Sequence, residues 1–212
     1  MKNQYIEIYS NIDMDDKEND NIKIIVVGDA NVGKSCIVSQ YVVGSFSHLS
    51  NPTVGAAFFS KEIEFQDKLY TLNIWDTAGQ ETYKYLVPMY YRNAGIAIYV
   101  FDITSEKSFL NITHWLSDVK KTIGDNVYSI LCGNKMDLYE KRKVLFEVAQ
   151  NLANEYNMLY TETCAKNGSG IDKLFELSLT EYLKMVERSE IEQQIHVDID
   201  ISKKATKENT CC

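Results

Sequence analysis

The chain has 212 residues, 45% of them hydrophobic and 25% charged, which is enough for one domain with a substantial core plus tails. Its formal net charge of -8 speaks against non-specific nucleic-acid binding, and no apolar run reaches the ~18 residues of a membrane span. Five cysteines, an odd number without metal-type spacing, fit a reducing cytosol better than a disulfide framework. Residues 1–20 hold six acidic groups against two lysines and read as a flexible acidic leader, with no charged-then-apolar signal pattern.

Five of the six residues Ile22-Lys23-Ile24-Ile25-Val26-Val27 are β-branched, so the run predicts a buried strand. Gly28-Asp29-Ala30-Asn31-Val32-Gly33-Lys34-Ser35 follows, and then Cys36–Val43, long enough for a helix ending near Gly44. A strand, a Gly-x4-Gly-Lys-Ser turn and a helix form a phosphate-binding loop. Glycines let backbone N–H groups face phosphate oxygens, the helix N-terminus adds partial positive charge and Lys34 a full one. The Ser35 hydroxyl can ligate Mg²⁺.

Residues 44–55 form a polar loop with breakers, in which Thr53 can give a hydroxyl to Mg²⁺ and an N–H to a γ-phosphate. Ala56–Phe65 and Leu69–Trp75 predict two strands joined at Gln66-Asp67-Lys68. Beyond the second comes Asp76-Thr77-Ala78-Gly79-Gln80-Glu81. Asp76 can hold Mg²⁺ through water, the Gly79 N–H can approach a γ-phosphate, and Gln80 can orient an attacking water.

Ile96–Phe101 and Val127–Cys132 are apolar runs expected of strands covered on both faces. Helical periodicity joins Phe109, Ile112, Leu116, Val119 and Ile123, then Leu145, Val148, Leu152 and Tyr156, then Ile171 through Val186; all three stripes are expected to face the core. Alternating strands and helices predict an α/β fold, a six-stranded, mostly parallel sheet with helices on both faces, with chemistry in the loops at the carboxyl ends of the strands. After the fifth strand, Gly133-Asn134-Lys135-Met136-Asp137 places a carboxylate whose two oxygens match adjacent N–H donors on guanine and meet a lone pair on adenine. After the sixth, Glu162-Thr163-Cys164-Ala165-Lys166 can offer the Ala165 N–H to the guanine carbonyl. Asn111-Ile112-Thr113 and Asn167-Gly168-Ser169 match the glycosylation pattern and are taken as accidental. Residues 189–212 lack a helical stripe and read as a flexible tail ending in Cys211-Cys212. Within it, Ile195, Val197, Ile199 and Ile201 alternate with polar residues, either as an idle stretch or as a docking segment.

The loops Gly28–Ser35, Thr53, Trp75–Glu81, Asn134–Asp137 and Thr163–Lys166, in this order, resemble the five nucleotide motifs of Ras-like small GTPases. Trp75–Glu81 with the terminal Cys-Cys resembles the Rab family, and Thr53–Phe58 with Leu86–Ala94 is similar to Rabs of early endosomes. The resemblance spans 21–188 and implies a P-loop NTPase with a Ras-like G domain there, a leader at 1–20 and a hypervariable tail at 189–212. It implies a switch that binds GTP/GDP with Mg²⁺ and hydrolyses GTP slowly. Nucleotide contacts would come from Gly28, Asp29, Ala30, Asn31, Val32, Gly33, Lys34, Ser35, Cys36, Phe46, Thr53, Gly79, Asn134, Lys135, Asp137, Cys164, Ala165 and Lys166. Mg²⁺ would be held by Ser35, Thr53 and, through water, Asp76; Gln80 and Lys34 would be catalytic. Phe46 would pack across the guanine, the stem of Lys135 would cover its other face, and Asn134 would tie the base loop to the phosphate loop. Phe58, Trp75 and Tyr90 match the aromatic trio through which Rabs meet effectors, the alternative being ordinary core packing.

The resemblance further implies double geranylgeranylation of Cys211 and Cys212, since two lipids anchor stably where one does so marginally. It implies a monomer served by a Rab escort protein, a GDP-dissociation inhibitor, an exchange factor, a GTPase-activating protein and effectors. Its expected place is the cytoplasmic face of intracellular membranes, the early endosome in particular, in exchange with the cytosol. Three positions depart from the family: Thr82 where Rabs have Arg, Cys164 where the last motif has Ser, and Ala30 beside the hydrolysis site, whose side chain predicts slow turnover. Ala30 and Thr82 leave open a GTP-locked scaffold. An ATP-dependent phosphotransferase is a third possibility, opposed by Asn134-Lys135-Met136-Asp137.

Overall fold

The computed structural model describes residues 20–46, 53–79 and 87–208. Gln80, Glu81 and Thr82, the loop at 47–52, the leader up to residue 19 and Cys211-Cys212 lie outside the described residues. Six strands, β1 (Asp20–Val27), β2 (Ala56–Phe65), β3 (Lys68–Thr77), β4 (Ile96–Asp102), β5 (Tyr128–Asn134) and β6 (Leu159–Glu162), form one sheet in the order β2-β3-β1-β4-β5-β6. Five run parallel, while β2 pairs antiparallel with β3 at one edge. Gln66 and Asp67 both take left-handed φ, 51° and 61°, so a two-residue turn closes that hairpin and Lys68 joins the strand rather than the turn.

The period of two in the strands divides the core. Ile22, Ile24, Val26, Ile96, Ile98, Val100, Ile130 and Cys132 pack on one face with Ile37 and Val38 of α1 (Lys34–Val43) and Leu174, Phe175 and Leu179 of α6 (Ile171–Glu208). Ile25, Val27, Ala97, Tyr99, Phe101 and Leu131 pack on the other. That second face is covered by α2 (Val87–Tyr91), α3 (Glu106–Leu110), α4 (Ile112–Ile123) and α5 (Phe146–Glu155). All seven residues of β4 are buried, as its unbroken apolar run requires. The chain leaves β1 on one side toward β3 and returns across it to β4, so the end of β1 is a topological switch point, where ligands bind in such sheets.

Three stretches differ from the periodicity. The Phe109–Ile123 segment is two helices broken at Asn111, and Trp115, 8% exposed, takes the buried place expected of Leu116. On α5 the buried residues are Ala149 and Ala153, whereas Leu145, Val148 and Tyr156 are exposed; only small side chains let this helix lie close against the sheet edge. Helix α6 runs to Glu208 instead of giving way to a flexible tail at 189. No Gly or Pro interrupts 171–208, so nothing breaks the backbone ladder, and Ile195, Val197, Ile199 and Ile201 lie in helix rather than in a strand-like stretch.

Candidate functional site

The phosphate loop occupies the switch point between β1 and α1. Gly33 takes φ 92°, and a Cβ there would sit 2.3 Å from the Asn134 amide nitrogen, so only glycine lets the two loops meet. Having no side chain, Gly33 also leaves the first-turn N–H groups of α1 uncapped, available to an anion. Lys34 is 6% exposed and donates from Nζ to the carbonyls of Gly28 and Asp29, both at 2.9 Å. Burial lowers its pKa to about 8, partly opposed by the charges of Asp76 and Asp29. A bound polyphosphate would favour the charged form.

Beside it three oxygen donors meet. Ser35 Oγ lies 3.0 Å from Thr53 Oγ1, which donates to Asp76 Oδ2 at 3.3 Å. The second oxygen, Asp76 Oδ1, is buried with no hydrogen-bond partner among the described residues. Burial raises the Asp76 pKa, while the Ser35 hydroxyl, the Lys34 charge and the Thr53 hydroxyl work against that rise. An orphaned carboxylate oxygen beside two hydroxyls calls for a cation. Among the described residues no group of three His, Cys, Asp or Glu could hold a metal by itself. The oxygen donors of Ser35, Thr53 and Asp76 suit Mg²⁺, which prefers oxygen and keeps sites for phosphate and water.

Gly79 stands against the phosphate loop: a Cβ on it would lie 2.4 Å from the Asp29 carbonyl carbon and 2.5 Å from the Ala30 nitrogen. The Ala30 methyl is exposed at this junction.

The ends of β5 and β6 build the adjoining region. Asn134, 1% exposed, donates to the Val32 carbonyl at 2.9 Å and so links the β5 loop to the phosphate loop. Its Oδ1 accepts from Thr163 Oγ1 at 3.1 Å and from the Ala165 N–H at 3.3 Å. The Ala165 donor expected to face guanine is thus held by Asn134 at the outer limit of a hydrogen bond. The Cys164 thiol donates to Asp137 Oδ1 at 3.2 Å. Lys135 Nζ pairs with Asp102 Oδ2 at 2.7 Å, fixing the direction of its stem, and Phe46 is half-buried against the α1–α6 side of the core. Lys166 is exposed.

On the outer side of β3, Phe58 and Trp75 lie 5.2 Å apart and Trp75 and Tyr90 5.5 Å apart, ring centre to ring centre. Phe58 is 43% exposed while Trp75 and Tyr90 are half-buried, so the trio is a continuous aromatic surface with one open end.

Five contributors escape a reading by motif. Asp102 is the last residue of β4 and Asp76 the next to last of β3, a signal present in the sequence. Arg142 forks onto Glu162 with two 2.7 Å bonds, and the Tyr160 hydroxyl donates to the same carboxylate at 2.6 Å, joining the two loops that flank the base region. Asn111 and Trp115 reach the phosphate loop from α4. Nothing in their spacing gives this away.

Set beside known proteins, residues 23–184 match the model of the Ras family. The chain is 38% identical to Ras-related protein Rab-4 of Dictyostelium discoideum over 85% of its own length and 88% of the relative's. It is 40% identical to human Ras-related protein Rab-22A over 73% of this chain and 79% of that one. It is 42% identical to GTP-binding protein YPT53 of Saccharomyces cerevisiae over 73% of each.

Proposed function

The chain belongs to the Ras family, among its Rab GTPases, and on that premise we infer that it is a Mg²⁺-dependent GTP/GDP switch that hydrolyses GTP slowly and recruits effectors to a membrane. The observation that carries this reading is the orphaned Asp76 Oδ1 beside Ser35, Thr53 and the buried Lys34. Ser35, Thr53 and Asp76 would hold Mg²⁺, which when bound would supply positive charge against that of the phosphates.

The rest falls to the protein. Lys34 binds phosphate oxygens as a point charge, with the N–H groups at the start of α1 around it. Thr53 and Gly79, from the two segments that flank the site, close on the γ-phosphate, and its loss releases both. Gln80 orients the attacking water in line with the leaving oxygen. Asp137 accepts two N–H bonds from guanine, with Lys135 and Phe46 on either side of the base. Phe58, Trp75 and Tyr90 form the surface that an effector reads when the flanking segments are ordered. Geranylgeranyl groups on Cys211 and Cys212 attach the switch to the cytoplasmic face of endosomal membranes, and the endosomal assignment draws on the Rab-4 and Rab-22A likeness.

Competition of GTP, GDP and ATP for the purified protein, with and without Mg²⁺, tests the core of the reading. Guanine nucleotides are expected to bind far more tightly than ATP and to release faster when Mg²⁺ is chelated; equal affinity for ATP would overturn it. Loss of membrane association in a Cys211→Ser/Cys212→Ser double variant tests the anchor. The exposed Ala30 methyl beside Gly79 favours one second reading, a GTP-locked scaffold. Single-turnover hydrolysis that stays negligible even with an activating protein would select it.

A further inference from the structure

Asp29 is the one acidic residue in Gly28–Ser35, in a loop that otherwise attracts anions. Both oxygens of its carboxylate are engaged by one helix. Asn111 Nδ2 donates to Oδ2 at 2.7 Å and the Trp115 indole Nε1 donates to Oδ1 at 2.9 Å. Neither donor is spent locally. Asn111 is the residue at which α3 ends and α4 begins, yet its side chain makes no capping bond. Trp115 turns toward the loop in the place where periodicity puts Leu116.

The same residue has two further engagements through its main chain. The Asp29 carbonyl accepts from Lys34 at 2.9 Å, and the Asp29–Ala30 peptide is the surface against which Gly79 packs. The charge of Asp29 also favours protonated Lys34. Held by α4, the carboxylate has both oxygens committed to N–H donors; released, it would be free to turn toward a bound polyphosphate as a like charge, and the peptide that supports Gly79 would be free to shift.

We propose that Asn111 and Trp115 are positioning residues for the nucleotide site: by clamping Asp29 they hold the phosphate loop in register with Lys34 and Gly79, and so set the rate of nucleotide release. This rests on the reading of the site as a guanine-nucleotide switch.

A double-mutant cycle tests it. Release of a fluorescent GDP analogue is measured for the full chain, for Trp115→Phe and Asn111→Ala, for Asp29→Ala, and for each pair combined. With Asp29 present, Trp115→Phe and Asn111→Ala should each speed release by about tenfold, the loss of one hydrogen bond to a charged group. With Asp29→Ala they should change it less than about twofold, because the partner is gone. The ³¹P resonance of the bound β-phosphate should move in the single variants and not between Asp29→Ala and its doubles. A merely structural role for Trp115 would accelerate release equally in both backgrounds and would overturn the proposal, as would unchanged release in both single variants. Asn111→Ala leaves the core untouched and carries the test if Trp115→Phe does not fold. Failure of the unaltered chain to bind GDP would remove the reading of the site, whereas normal binding with no coupling would remove the clamp alone.

Discussion

The Cys164 thiol is 1% exposed and donates to Asp137 Oδ1 at 3.2 Å, so the carboxylate that would select guanine is held from behind by sulfur. A thiol is a weak donor, and the family places a serine at this position. Cys164→Ser should hold Asp137 more firmly and slow GDP release by about two- to fivefold. Stopped-flow release of a fluorescent GDP analogue checks this; faster release would mean that the sulfur contributes through its volume and not its hydrogen bond.

Gly79 has no room for a side chain, since the atoms a Cβ would meet at 2.4 and 2.5 Å belong to the main chain of Asp29 and Ala30. Gly79→Ala leaves the sheet intact but pushes its own N–H away from a γ-phosphate. The ratio of GTP-analogue to GDP affinity should fall by about tenfold or more, with GDP affinity little changed. Isothermal titration with both nucleotides measures the ratio, and a preserved ratio would sink the role given to Gly79.

Gln80→Leu should bind GTP as the unaltered chain does and lose at least about a hundredfold in single-turnover hydrolysis, because a water without its orienting amide attacks from the wrong place. Hydrolysis at the original rate would show that Gln80 does not orient the water.

The Arg142–Glu162 pair gives the molecule a defined acid response. Burial works to raise the Glu162 pKa, but the Arg142 fork, the Tyr160 hydroxyl and the Arg142 charge outweigh it and hold the carboxyl below its ordinary 4.5. A carboxyl depressed on folding adds stability above the ordinary value and loses that stability as the pH falls through the folded value. Arg142→Ala should therefore destabilise the protein by about 2–3 kcal/mol at pH 7, and the difference in Tm from the unaltered chain should shrink below pH 4.5. Thermal unfolding at a series of pH values follows it. A difference independent of pH would assign the loss to packing of the Arg142 stem.

Much of the site is legible in the sequence. Gly28–Ser35, Asp76 and Asp137 each follow an apolar run at a fixed place in a strand–loop–helix alternation, and local sequence carries both the run and the loop chemistry. What sequence alone determined is the set of loops, the sheet that carries them and the family. What only the tertiary structure decided is how residues distant in the chain meet. Asn111 and Trp115 reach Asp29 across more than eighty positions, and Asn134 reaches Val32 across 102. Periodicity reports which face of a helix is apolar, but not that a neighbour is close enough to admit only Ala149 and Ala153, nor that one indole N–H is required by a carboxylate elsewhere. Residues 189–208 of α6 likewise lack a Gly or Pro to stop the helix as much as they lack an apolar stripe, and the backbone follows the first of these. Side-chain partnership is a property of the packed sheet and its covering helices, because only there do the distances exist.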